Sequence, residues 1–169
     1  PALHLGGCQV ALSPDTPPSV ASGTHLDPHQ FGRIVVIGNL FAIWYSPRKH
    51  KDLPMAAEFD LNIDQGTTFR LTFRWEAGEP PTPVDLTGCS ALMHIRARVR
   101  DALPAVVAST ANGKLTLGAS GNIDLVLTVA DTTLLTMKEG VYDLEVTMAN
   151  GDVERLVSGK VFVSPQVTR

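Results

Sequence analysis

Thr67-Thr68-Phe69-Arg70-Leu71-Thr72-Phe73-Arg74-Trp75-Glu76 is the stretch whose pattern decides the fold class. Phe69, Leu71, Phe73 and Trp75 take alternate positions, and Thr68, Arg70, Thr72 and Arg74 take the positions between them. Side chains of a β-strand alternate between two faces, whereas a helix would scatter four large apolar groups round its circumference. The segment reads as a long strand with an aromatic core face and a cationic, hydroxyl-bearing outer face.

Toward the N-terminus, Phe59, Leu61 and Ile63 alternate with Glu58, Asp60, Asn62 and Asp64, and Gln65-Gly66 turns the chain into the long strand. Toward the C-terminus, residues 76–83 (EAGEPPTP) are too rich in proline for regular structure, and Asp85-Leu86-Thr87-Gly88 predicts a tight turn. Over Cys89–Arg98, Ala91, Met93 and Ile95 face one way and Leu92, His94, Arg96 and Arg98 the other. Val106–Thr110 and Lys114–Leu117 are expected as short strands about an Asn112-Gly113 turn, and Ile123, Leu125 and Leu127 line one face of the next strand.

Thr128 and Asp131 have the spacing of a capping box, which predicts one or two helical turns crossing between sheets and stopped by Gly140. A closing hairpin follows. Tyr142, Leu144, Val146 and Met148 form one face, Asn150-Gly151 the turn, and Val153, Val157, Val161 and Val163 one face of the return, which ends at Ser164-Pro165. The sum is an all-β domain over residues 57–169: an immunoglobulin-like or related β-sandwich of seven to nine short strands with one short helical crossover.

Residues 1–56 differ in composition. Pro14, Pro17, Pro18, Pro28, Pro47 and Pro54 interrupt them, and a regular helix cannot persist there. We expect an extended, Pro-rich arm containing a hairpin over residues 34–45, with a two-residue turn at Gly38-Asn39. Apolar on both sides, such a hairpin must be covered by this chain's own sandwich or by a neighbouring subunit. Its candidate partner-contact residues are Ile34, Val36, Leu40, Phe41, Ile43, Trp44 and Tyr45. The aromatic members suit a protein interface better than a sugar platform. The domain boundary falls near Met55. Met55-Ala56-Ala57-Glu58 also reads as a natural start with the upstream residues as an extension, and residues 55–169 are expected to fold alone.

The totals agree with a packed domain. The chain has 169 residues, 44% hydrophobic and 18% charged, which supports a substantial core. A net charge of −3 gives no basis for nucleic-acid binding, and Arg96, Arg98 and Arg100 read as a solvated strand face. The apolar run 34–45 is shorter than the roughly 20 residues of a membrane-spanning helix, and the start has no secretory pattern. We expect a soluble protein made in a cytoplasm.

Cys8 and Cys89 lack metal or redox spacing and read as structural thiols. His25, Asp27 and His29 stand about Pro28 and read as surface loop residues rather than zinc ligands. Asp60, Asp64, Asp124, Asp143 and Glu145 fall on outward strand faces. With no nucleophile elbow and no phosphate-cradling glycine loop, we expect no catalytic residue, no metal, no cofactor and no small-molecule substrate.

Four blocks, in order and spacing, resemble the N-terminal domain family of the tailed-bacteriophage baseplate upper protein. They are Phe59-Asp60-Leu61-x-Ile63-x-Gln65-Gly66-x-Thr68-Phe69; Val84-Asp85-Leu86-Thr87-Gly88 leading to Ala91-x-Met93-x-Ile95-Arg96; Gly140-Val141-Tyr142-Asp143-Leu144-Glu145; and Gly159-Lys160-Val161-x-Val163-Ser164-Pro165-x-Val167-Thr168-Arg169. The resemblance covers residues 57–169. It implies a structural virion protein made in the host bacterial cytoplasm, a peripheral tail or baseplate component whose partners are other virion proteins and copies of itself. It carries over no catalytic residue. The Pro-rich arm in front favours a connector role; a capsid decoration or head-to-tail connector is the alternative, and a glycan-binding adhesion module a further one.

Overall fold

The computed structural model describes residues 32–37, 42–45, 56–78 and 80–168, with residues 42–45 described by their backbone alone. Twelve strands and one short helix follow in order: β1 (Gly32–Ile37), β2 (Ala42–Tyr45), β3 (Ala57–Glu58), β4 (Leu61–Asp64), β5 (Phe69–Ala77), β6 (Thr82–Pro83), β7 (Ser90–Arg96), β8 (Val106–Ser109), β9 (Leu115–Leu117), β10 (Asn122–Leu127), α1 (Val129–Thr133), β11 (Glu139–Thr147) and β12 (Val153–Ser164). They form two six-stranded sheets. One runs β2-β1-β5-β10-β9, with β6 also on β5; the other runs β3-β12-β11-β7-β8, with β4 also on β12. The fold is all-β, as expected; β3–β12, within residues 57–169, number ten against the seven to nine expected there, because several are only two to four residues long.

The expected alternation of β5 holds. Leu71, Phe73 and Trp75 are buried and Phe69 is half-buried, whereas Arg70 is exposed and Thr72 and Arg74 are half-exposed. Ala91, Met93 and Ile95 of β7, Ile123, Leu125 and Leu127 of β10, and Tyr142, Leu144 and Val146 of β11 join Phe73 and Trp75 in one core. Where the first segment of the second sheet meets the first sheet, the Phe59 and Phe73 rings stand edge to face at 6.4 Å and 89°, the geometry that the ring quadrupoles favour.

β3 and β4 lie parallel to the last strand, β12, with Ala57 opposite Val157 and Leu61 opposite Val161. Between them the chain steps aside at Phe59-Asp60, and the lost ladder bonds are replaced. The Phe59 amide donates to the Ser158 carbonyl at 3.0 Å, the Lys160 amide to Asp60 Oδ1 at 2.8 Å, and the Tyr142 hydroxyl to the Phe59 carbonyl at 2.6 Å. Gly159 makes room for this step: a Cβ there would lie 2.1 Å from the Phe59 carbonyl oxygen.

The helical crossover forms where the capping-box spacing placed it. The Thr128 hydroxyl and the Asp131 carboxylate exchange hydrogen bonds with each other's backbone amides, and Lys114 Nζ reaches Asp131 Oδ1 at 2.5 Å. Thr132 is fully buried. Its hydroxyl donates to the Thr67 carbonyl at 2.8 Å and accepts from the Gly66 amide at 3.1 Å, so the helix is fastened to the turn that opens β5.

Five expectations are corrected. Gly140 does not end the helix, which stops at Leu134; it lies within β11, where a Cβ would meet the Arg96 carbonyl oxygen at 2.6 Å. Val153 is 60% exposed rather than on the core face. A register shift pairs Leu144 with Val157 but Glu145 with Arg155, so Leu156 is extra and reverses the facing of the residues before it. Asn112-Gly113 does not close a hairpin: β8 and β9 belong to different sheets, and the Asn112 side chain bonds the Ser109 and Lys114 amides and the Val107 carbonyl across the crossing. The Pro-rich stretch after β5 is not wholly irregular, since β6 returns with Pro83 opposite Glu76 and Thr82 opposite Ala77. Finally, β1 and β2 do not turn tightly at Gly38-Asn39, because Ile37 stands opposite Ala42, leaving residues 38–41 to make the connection.

Candidate functional site

The feature most in need of explanation is the edge of the first sheet, where a strand from outside the 57–169 block is laid against β5. β1 pairs antiparallel with β5 over six residues, from Gly32 opposite Ala77 to Ile37 opposite Thr72. This register sets Ile34 opposite Trp75 and Val36 opposite Phe73. Ile34 is 5% exposed and Val36 2% exposed, and both belong to the chain's own core. Burying a side chain of this size contributes about 1.5–3 kcal/mol relative to leaving it in water.

An ion pair fixes the same register from the outer face. Arg33 Nη2 lies 3.2 Å from Glu76 Oε2, with the Glu76 side chain only 13% exposed. Arg74 Nε lies 3.2 Å from Glu76 Oε1, near enough for charge attraction but off the direction of a hydrogen bond. On the cationic face read from the sequence, Arg74 is thus paired, whereas Arg70 is exposed. Further along it, the Thr72 hydroxyl donates to Asp124 Oδ1 at 2.5 Å.

The residues expected to reach a partner divide three ways. Ile34 and Val36 are not available to another chain in this arrangement, because they lie beside Trp75 and Phe73 on the inner face of the first sheet and are buried in the core between the two sheets. Ile43, Trp44 and Tyr45 lie in β2, opposite Val36, Val35 and Ile34, on the outermost strand of the sheet. Leu40 and Phe41 lie outside the described residues, as do Cys8, His25, Asp27 and His29. The two-sided apolarity of residues 34–45 signalled that the hairpin needed a cover. Its destination was not legible, because a strand's face pattern does not say which edge it joins.

A second feature is a shallow groove of about 470 Å3 on the outer face of the other sheet, lined by His94, Arg96, Asp143, Arg155 and Lys160 among others. Its cations have partners. Arg96 Nη1 donates to the Asp101 carbonyl at 2.6 Å. Arg155 lies 3.7 Å from Asp143 and 3.5 Å from Glu145. Lys160 Nζ lies 2.8 Å from Glu139, whose hydrogen bond and charge hold the ammonium above its ordinary pKa. Beneath it, burial and then the Asp60 charge push the Tyr142 hydroxyl well above its ordinary value, so it stays a donor to Phe59.

The carboxylates read as outward-facing do structural work. Asp60 accepts from the Lys160 amide, Asp124 from Thr72, and Asp143 and Glu145 face Arg155. Asp85 accepts from the Thr87 hydroxyl and amide, which holds its carboxyl below the usual range. Among the described residues, no three His, Cys, Asp or Glu side chains gather as a metal set, and no helix is long and apolar enough to cross a membrane. Cys89 is a half-buried free thiol 3.9 Å from Met148 Sδ.

Sequence reasoning missed Gln65 and Thr132. Gln65 bonds the Leu135 carbonyl at 3.2 Å and the Gln166 amide at 3.1 Å, tying the β4–β5 turn to both the helix end and the C-terminal segment. A polar residue beside a turn glycine was the only signal. Compared with known proteins, the chain matches no family model, and no curated protein matches it.

Proposed function

We propose that this chain is a structural subunit of a bacteriophage particle: a two-sheet block, immunoglobulin-like in layout, held among its neighbours through its N-terminal hairpin. The observation that carries this reading is the hairpin's placement: β1 is seated on β5, and β2 is left as the outermost strand of that sheet among the described residues. A strand from before the 57–169 block recognises that block by backbone pairing, by Ile34 and Val36 against Trp75 and Phe73, and by Arg33 against Glu76. Backbone pairing at a sheet edge is a common means of joining one chain to another. The parallel pairing of β4 with the last strand supports the immunoglobulin-like comparison. The four blocks resembling the baseplate upper protein family supply the biological setting, in the tail or baseplate rather than on the capsid.

Purification of the particles from producing cells, with quantitative mass spectrometry of their components, tests the proposal. The chain is expected in the particle at a copy number fitting threefold or sixfold tail symmetry. A copy number following the capsid lattice would move it to a decoration role. Its absence from particles would end the virion reading.

A further inference from the structure

We infer that the β5 edge is an exchange site, at which β1 of a second copy of this chain takes the place of the resident β1. This rests on the assembly reading and names its partner. The contacts described between β1 and β5 lie within Gly32–Ile37 and Thr72–Ala77: the six-residue ladder, the Ile34–Trp75 and Val36–Phe73 pairs, and the Arg33–Glu76 ion pair. A second copy brings the identical strand. It forms the same ladder in the same register and buries the same side chains, so exchange leaves the edge contacts unchanged.

What differs is which connection supplies the strand. Residues 46–56 join β2 to β3, and such a length fully extended reaches at most roughly 35–40 Å, comparable to the width of a small domain. The hairpin can therefore be delivered to its own block or to one alongside. In dilute solution the resident strand wins, because its effective concentration at the edge is on the order of millimolar. In a ring of copies held side by side, the neighbour's hairpin has a comparable effective concentration. Exchange then links copies with no new surface.

The Arg33–Glu76 pair allows a direct test on the purified full chain. R33E alone sets two carboxylates against each other, and E76R alone sets two guanidiniums against each other. In a reciprocal exchange between the two variants, both mismatches are repaired at once. The variants are denatured, mixed, refolded together and sized by light scattering and native mass spectrometry, with the R33E/E76R double variant as the monomeric control. A one-to-one species of doubled mass is expected, its thermal midpoint raised above either single variant toward that of the double variant. Two unrepaired monomers, or two chains that remain unfolded in the mixture, would overturn the inference.

A second pair guards against a charge-specific failure. In a C8S/C89S background, V35C and R74C occupy opposite positions of the ladder. The double variant is expected to close an intrachain disulfide, and the single variants, denatured and refolded together at high concentration under oxidising conditions so that the minor exchanged state is trapped, an interchain one. Closure only in the double variant counts against exchange; closure in neither counts against the ladder on which exchange depends. Because the purified chain is used alone, failed exchange leaves incorporation into particles to stand or fall by itself, and absence from particles leaves exchange intact.

Discussion

The Tyr142 hydroxyl donates to the Phe59 carbonyl at 2.6 Å, across 83 residues of sequence. It satisfies the Phe59 carbonyl, one of the backbone groups that the step between β3 and β4 takes out of the ladder. Tyr142→Phe keeps the ring in the core and removes the donor. The expected cost is about 1–3 kcal/mol, that of leaving a partly buried acceptor without its bond. Urea denaturation checks it: the midpoint should fall while the slope stays the same.

Gly159 and Gly113 form a matched pair for substitution. At Gly159 an added Cβ would strike the Phe59 carbonyl oxygen, whereas at Gly113, with φ 72°, it would meet nothing within 4 Å. Gly113→Ala should cost only the left-handed backbone penalty of about 1–2 kcal/mol. Gly159→Ala should cost more and unseat β3 and the Phe59 step from β12. Thermal midpoints rank the two, and the amide exchange of Lys160 locates the damage.

The buried Asp131 gives the fold an acid-sensitive point. Burial raises its pKa, but the bonds from Lys114 and Thr128 and the Lys114 charge outweigh that and hold it below its ordinary value. A carboxyl with a depressed folded-state pKa contributes stability that is fully present above its unfolded value. That contribution is lost as pH falls through the folded value. Stability should therefore drop from about pH 4 downward. Asp131→Asn should be less stable at pH 7 and should show a smaller loss over the acid range, measured as urea midpoints across pH.

Much of this architecture was legible in the residues. Phe69 to Trp75 specified a strand and its faces, and Thr128 with Asp131 specified the helix start, because both depend on neighbours in sequence. What was hidden depends on distant pairing. Nothing near Leu156 announces the extra residue that turns Val153 outward. Nothing near Leu61 says that β4 will lie parallel to a strand 100 residues later. At the candidate site, the apolarity of Ile34 and Val36 demanded a cover, but their placement beside Trp75 and Phe73 in the core between the sheets is a tertiary fact.

Removing residues 1–54 should now be costly, although the composition break near Met55 predicts a separable domain. The truncated chain would expose one side of Phe73 and Trp75 and an unpaired β5 edge, and such edges invite association. A lower thermal midpoint and concentration-dependent association by light scattering are expected.

Hydrogen exchange along β5, compared between the full chain and residues 55–169, tests the central claim most directly. In the full chain, the amides of Thr72–Glu76 that point toward β1 are expected to be protected together with those of Arg33–Val36. In the truncated chain, that half of the β5 amides should lose protection while those facing β10 keep it. Equal protection of β5 in both chains would mean that β1 does not close this sheet, and the hairpin would lose its place in the account.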